Sequence, residues 1–305
     1  MIMNASQTLT SELREIALAA LDAYLDAPPT PDGRSPVEIE TELDGKRVEV
    51  IENTLKPLLA GYLAGSITAM DFKRQVDGVN KQNPLWGFAG IKGQMFFNML
   101  MKTAEDASEF DTLLKSTIRE PDSEEEAATL LRNFKSYVTR IGQQFVDAGG
   151  DLRSRPKPSS IPFFVSYFWQ THRRDIWPIY YTSTVQIIEG MNLWEATGEI
   201  GDDYLTYKRL HETLIEIFSA AASKPFNLCD VEHVFWFKSG RLLDSAPAQP
   251  VTKYERKSAA GQTSGVNVSD QSLPMQSAQT SVPPDSYVPP IVAVIPKLGL
   301  NDALL

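Results

Sequence analysis

The chain has 305 residues, 42% hydrophobic and 10% aromatic, enough apolar material for one large core or two ordinary ones, and a formal net charge of −10. It has no run of about 18 apolar residues, and Glu12, Arg14 and Glu15 break the N-terminal stretch where an export signal needs an apolar segment. The expectation is a cytoplasmic protein without membrane contact, and a single cysteine, Cys229, excludes an internal disulfide framework and an all-cysteine metal site.

In chain order, Leu13, Ile16, Ala17, Ala20 and Leu21 share one helical face, and this first helix, from Ser11 to about Leu25, ends at the prolines of "APPTPDG". In "VEIETELDGKRVEV", Val37, Ile39, Thr41 and Leu43 alternate with glutamates, Asp44-Gly45 is a two-residue turn signal, and Val48 and Val50 alternate on the return. That pattern predicts a β-hairpin with Glu42 opposite Arg47 on a wet face and Ile39 opposite Val50 on a buried one. Helical pattern resumes over 51–63, and Thr68 with Asp71 marks the start of another helix. The segments "QMFFNMLMKT" and "EFDTLLKST" read as short helices. A long helix follows, capped at Asp122 or Ser123, with glutamates in its first turn and an apolar face of Leu131, Phe134, Val138, Ile141 and Phe145. Beyond the aromatic block at 161–183, Tyr207, Leu210, Leu214 and Ile217 define one more helical face.

The fold class expected is therefore mainly α: a multi-helix globular domain over 1–243 with one small β-hairpin. From 244 to 290 the composition shifts to Ser, Pro, Gln, Ala, Thr and Gly, which predicts a flexible linker. The apolar 291–305, with Asn301 as a helix cap, reads as the start of a further domain or as a docking peptide; the first fits a fragment of a longer protein.

Charge is unevenly placed. Residues 132–174 carry a net +6 inside an otherwise acidic chain, from Arg132, Lys135, Arg140, Arg153, Arg155, Lys157, Arg173 and Arg174 against Asp147 and Asp151. Arg132, Lys135, Thr139 and Gln143 recur along one side of the long helix, a polar stripe of the kind that tracks phosphates, and Trp169 and Trp177 beside the arginines are candidates for base stacking. The competing reading is a solvated basic rim over an aromatic core. All eight cations are candidate nucleic-acid-binding residues.

"NPLWGFAGIKGQMFFNML" places Gly87, Gly90 and Gly93 ahead of an apolar run. It lacks the Gly-Lys-Ser/Thr ending of a phosphate loop, and Gly90-Ile91-Lys92-Gly93 matches the short G-x-x-G clamp of KH domains without their strands. Gly90, Lys92 and Gly93 form a possible anion loop, weighed against a backbone role in which Gly87 and Gly90 adopt positive φ and Gly93 permits a close approach. Pro31-Asp32 with Asp44-Gly45-Lys46 fits the spacing of a PD-(D/E)xK nuclease, but the hairpin turn is the wrong place for that site. For zinc, His211, Cys229 and His233, with His172 apart from them, offer no obvious fourth ligand, and Cys229 with His233 lacks an orienting group for nucleophilic catalysis. No catalytic residue, metal or cofactor is assigned.

The aromatic block, with Asp175, Pro178, Tyr180 and Tyr181 in Asp-x-x-Pro-x-Tyr-Tyr, followed by "LHETLIEIF" and "DVEHVFWF", resembles the helical N-terminal region of bacterial restriction and phage-defence proteins, including Mcr-type restriction ATPases. The resemblance covers about 160–238 and carries no catalytic residue. It implies a recognition or regulatory module of a larger antiviral defence protein, with nucleic acid as one partner and an effector domain or partner protein reached through the C-terminal linker. A protein-interaction scaffold and a self-contained nuclease or other enzyme are the alternatives.

Overall fold

The computed structural model describes residues 9–240, so the linker and C-terminal segment expected at 244–305 lie outside the described residues. The architecture is helical throughout, with no strand among the described residues. In order come α1 (Ser11–Leu25), α2 (Pro36–Val50), α3 (Lys56–Leu63), α4 (Ala69–Gln82), α5 (Phe96–Thr103) and α6 (Ala107–Ile118). Then follow α7 (Glu124–Asp147), α8 (Ile161–His172), α9 (Thr182–Gly190), α10 (Ile200–Ala222) and α11 (Leu228–Lys238). No helix among the described residues is long and apolar enough to cross a membrane.

The sequence cues for α1, α4, α7 and α10 act as expected. Thr68 accepts from the Asp71 amide at 3.1 Å, and of the two candidate caps on α7 it is Ser123 that accepts from the Glu126 amide, at 3.2 Å. Leu131, Phe134, Val138 and Ile141 are buried on the inner face of α7, while Phe145 is half-buried.

The hairpin over 37–50 is not present: the segment is α2. Ser35 and Glu38 form a capping box, with Ser35 Oγ accepting from the Glu38 amide at 3.2 Å and Glu38 accepting from the Ser35 amide at 2.7 Å. Pro36 occupies the first turn, where its missing N–H costs nothing. Asp44-Gly45 therefore sits mid-helix. The alternation misled because the buried face of α2 is charged: Pro36, Glu40 and Arg47 are the buried residues. A π-helical turn, Ile51–Leu55, joins α2 to α3 just ahead of Pro57, whose ring cannot face the carbonyl four residues back.

Two apolar clusters fill the interior. The larger gathers α3–α8 and the start of α10, and the smaller gathers α1, α9, α11 and the rest of α10, with Tyr180 and Trp236 packed against both. α8 runs through the larger one with every residue from Ile161 to Thr171 buried.

The glycine-rich stretch feeds this core. Gly87 has φ +65°, as expected, but Gly90 has φ −87° and needs no such freedom. Gly93 is the tight point, since an added Cβ would lie 2.1 Å from the carbonyl oxygen of Phe88. Trp86, Phe88, Phe96 and Phe97 are all core. We expect Gly93→Ala to destabilise the fold by about 2 kcal/mol or more through steric displacement, and Gly87→Ala by about 1 kcal/mol through its left-handed backbone, both read by urea denaturation.

Candidate functional site

The structure separates the eight predicted nucleic-acid-binding residues into two groups. Arg132 reaches from α7 to the N-terminus of α10, donating to Glu199 at 3.1 Å and to Asp202 at 2.6 Å, and Lys135 donates to the Gly198 carbonyl at 3.3 Å. Arg140 pairs with Glu109 on α6, and Arg173 makes a two-pronged contact with Asp175 at 3.0 and 2.9 Å. Arg174 is half-buried, with its guanidinium 3.8 Å from the Cys229 sulfur. These five link elements of the protein to one another. Arg153, Arg155 and Lys157 have no acidic partner among the described residues and lie together in the connection from α7 to α8. The candidate stacking aromatics are not accessible: Trp169 is 0% and Trp177 3% exposed.

The 151–157 connection is a built loop. Asp151 accepts from the Arg153 amide at 3.0 Å, fixing a 3₁₀ turn at Leu152–Ser154. Pro156 is buried, and the stem of Arg155 lies against α7 where Gly142 leaves room: a Cβ there would be 3.9 Å from Arg155 Cβ and Cδ. Arg153 and Lys157 are exposed. Lys102, exposed on α5 and also without an acidic partner among the described residues, lies 5.5 Å over the Phe145 ring near the end of α7.

The predicted anion loop is differently employed. The Gly90 amide donates to the Gly87 carbonyl, Gly93 is packed onto Phe88, and Lys92 is half-buried, which lowers its pKa. Beside it, Ile91 and Met95 are 67% and 51% exposed.

A second constellation was not visible in the sequence because the hairpin reading put Glu40 on a wet face. Glu40, Asp44 and Arg47 recur at one-turn intervals on α2 and meet His233 of α11 in the interior. His233 Nε2 is 3.0 Å from Glu40 Oε2 and 3.3 Å from Asp44 Oδ1. Arg47 Nη1 is 2.7 Å from Asp44 Oδ1 and 3.3 Å from Glu40 Oε2, its Nε donates to the Leu85 carbonyl, and its guanidinium lies 4.9 Å over Trp236. Burial opposes the Asp44 charge, but the hydrogen bond from His233 and the charges of His233 and Arg47 hold its carboxyl below the usual range.

The ligand atoms of Glu40, Asp44 and His233 lie within 4.8 Å of one another, a set that suits a divalent ion. Arg47 Nη1, within 3.3 Å of all three, takes the position a cation would need. The cluster joins α2 to α11 through these mutual polar contacts, with Arg47 standing where a metal ion would sit.

Next to His233 on α11, Glu232 is fully enclosed and accepts from the Ile179 amide at 3.0 Å. Burial pushes its carboxyl up to about 8, against the lowering effect of that bond and of Arg47. Burial likewise pushes the Cys229 thiol up to about 12, so it is not a nucleophile at neutral pH. His211, buried and held near 4, is bonded to the Tyr207 carbonyl.

Comparison with protein-family models, with curated proteins and with solved structures found no match.

Two outcomes are expected here. Arg47→Met leaves two buried carboxylates facing one imidazole and should cost about 3–5 kcal/mol, measured by chemical denaturation. Glu232 is neutral in the folded protein up to about pH 8 but ionises near 4.5 when unfolded, so its contribution is complete below about 4.5 and lost as pH rises through 8. Glu232→Gln should therefore flatten the fall in stability between those values; an unchanged pH profile would mean that Glu232 is ionised in the folded state.

Proposed function

We propose that this chain is a recognition module that contacts a nucleic-acid backbone through the loop 151–157. The observation that carries the reading is the division of the basic segment: five cations are engaged within the protein, and Arg153, Arg155 and Lys157 stand together without acidic partners. Cations without acidic partners on a braced loop, two of them exposed and Arg155 half-buried, can bind phosphates and release counterions in doing so. The resemblance of 160–238 to the helical region of restriction and phage-defence proteins supports placing such a module in a larger defence protein, where binding is coupled to an effector.

A protein-interaction scaffold is the second reading, favoured by the exposed pair Ile91 and Met95, one turn apart beside the glycine loop.

The test is binding of a labelled oligonucleotide at low salt by fluorescence anisotropy. Replacing Arg153 and Lys157 by glutamate and Arg155 by methionine, which keeps a stem to pack against α7, should abolish binding with little change in the melting temperature. Replacing Arg132 and Arg173 should leave binding unchanged, with at most a small fall in melting temperature because their ion pairs are largely exposed. Retained binding by the triple variant, or none by the parent chain, overturns the proposal, and in the second case the scaffold reading takes its place.

A further inference from the structure

Taking the 151–157 loop as the contact proposed above, we infer that its ligand is a chain of phosphates recognised without its bases. A base-reading surface for single strands needs exposed aromatic faces, and a duplex reader needs a helix or strand edge carrying donors into a groove. Neither stands beside these cations. The large apolar side chains most exposed among the described residues are Met70, Ile91, Met95 and Leu152, none aromatic, and Trp86, Trp169, Trp177 and Trp194 are core. Phe145, the half-buried ring nearest the loop, already has Lys102 over its face and Gly150 against its edge, where an added Cβ would fall 2.4 Å from the ring.

What the loop does offer is a short row of charges. Arg155 (φ −72°, ψ 149°) and Lys157 (φ −100°, ψ 122°) are both extended. Residues two apart in such extended chain lie about 6 Å from each other, an interval comparable with that between successive phosphates along a strand. Pro156 between them is buried; Lys157 is exposed, Arg155 is half-buried with its stem against α7, and Arg153 precedes them from the 3₁₀ turn. The acids nearest in sequence, Asp147 and Asp151, are exposed but bonded within their own segments: Asp151 accepts from the Arg153 amide and the Ser154 hydroxyl, and Asp147 accepts from Gln143. Lys102 adds a fourth cation at the α7 end. The shared ligand chemistry is a linear polyanion of regularly spaced phosphates, whether the backbone of a nucleic acid or free polyphosphate.

The experiment uses the full chain with labelled oligo-dT, oligo-dA and mixed-sequence duplex of equal phosphate number over a range of salt, and polyphosphate as competitor. Four phosphate contacts give a log–log salt slope of about −3 on single strands, and Arg153→Ala with Arg155→Ala and Lys157→Ala should reduce it by about 2. Oligo-dT and oligo-dA should bind within about 3-fold of each other at matched salt. Polyphosphate should displace both; displacement at lower phosphate concentration than unlabelled oligonucleotide assigns the site to the free polymer, and at higher concentration to the nucleic-acid backbone. A spread of more than about ten-fold between dT and dA with the salt slope intact shows base reading, which overturns this inference and leaves the recognition role standing. Failure of polyphosphate to compete overturns it equally, whereas absence of any binding at low salt removes the recognition role itself.

Discussion

α8 has no solvent face, and the arrangement of the larger core follows from that. A helix buried on all sides cannot satisfy stray polar atoms with water, so those it carries depend on partners within the protein, and among them Gln170 Nε2 finds none. Ser166 Oγ donates back to the Pro162 carbonyl and accepts from the Tyr180 amide at 2.9 Å, which ties the chain after α8 to α8 itself. Trp169 Nε1 donates to the Thr117 carbonyl at the end of α6 at 2.9 Å, and Asn80 of α4 donates to the Tyr167 hydroxyl at the same distance. Three elements are thereby set against one helix by single polar contacts inside an aromatic packing that would otherwise tolerate sliding.

The union of α2 with α11 works differently. Here the specificity comes from polar chemistry: Glu40, Arg47 and His233 are buried and Asp44 half-buried, all four within bonding distance of one another, and desolvating such groups costs more than burying methyl groups. Such a cluster adds little net stability over an apolar interface but rejects alternatives strongly, because a shift of α2 by one turn would strand every member. It also explains why the moderately apolar α2 holds its place with few buried hydrophobic residues of its own.

Much of this was legible in the sequence where apolar spacing and end signals agreed. α1, α4, α7 and α10 have both a periodic apolar face and a capping side chain, and they were read correctly. α2 was misread because the period-2 alternation of Val37, Ile39, Thr41 and Leu43 was weighed and the start signal Ser35-Pro36-x-Glu38 was not; hydrophobic patterning is blind to a helix whose buried face is ionic. The site suffered the same blindness. Charge counted along the chain showed a basic segment, but only the fold shows that Glu199, Asp202 and Glu109 come to its arginines from elsewhere, while Asp175 is a near neighbour of Arg173. The pairing of Glu40 and Asp44 with His233, nearly two hundred residues on, has no sequence signature at all.

The burial of α8 has a consequence for synthesis. Its walls come from both directions along the chain: α4 to α7 precede it, whereas Tyr204, whose ring stands 5.3 Å from Trp169, belongs to α10. A nascent chain that has just completed α8 must wait for about 50 more residues before the α10 wall exists, a few seconds at ordinary elongation rates. During that interval Trp169, which packs on Trp177 and Tyr204, and Phe163, which packs on Tyr181, lack their downstream partners and face the surroundings. The ribosome-bound intermediate is thus the stickiest form this protein takes, and its yield in a cell depends on how fast α10 emerges or on what shields α8 until it does.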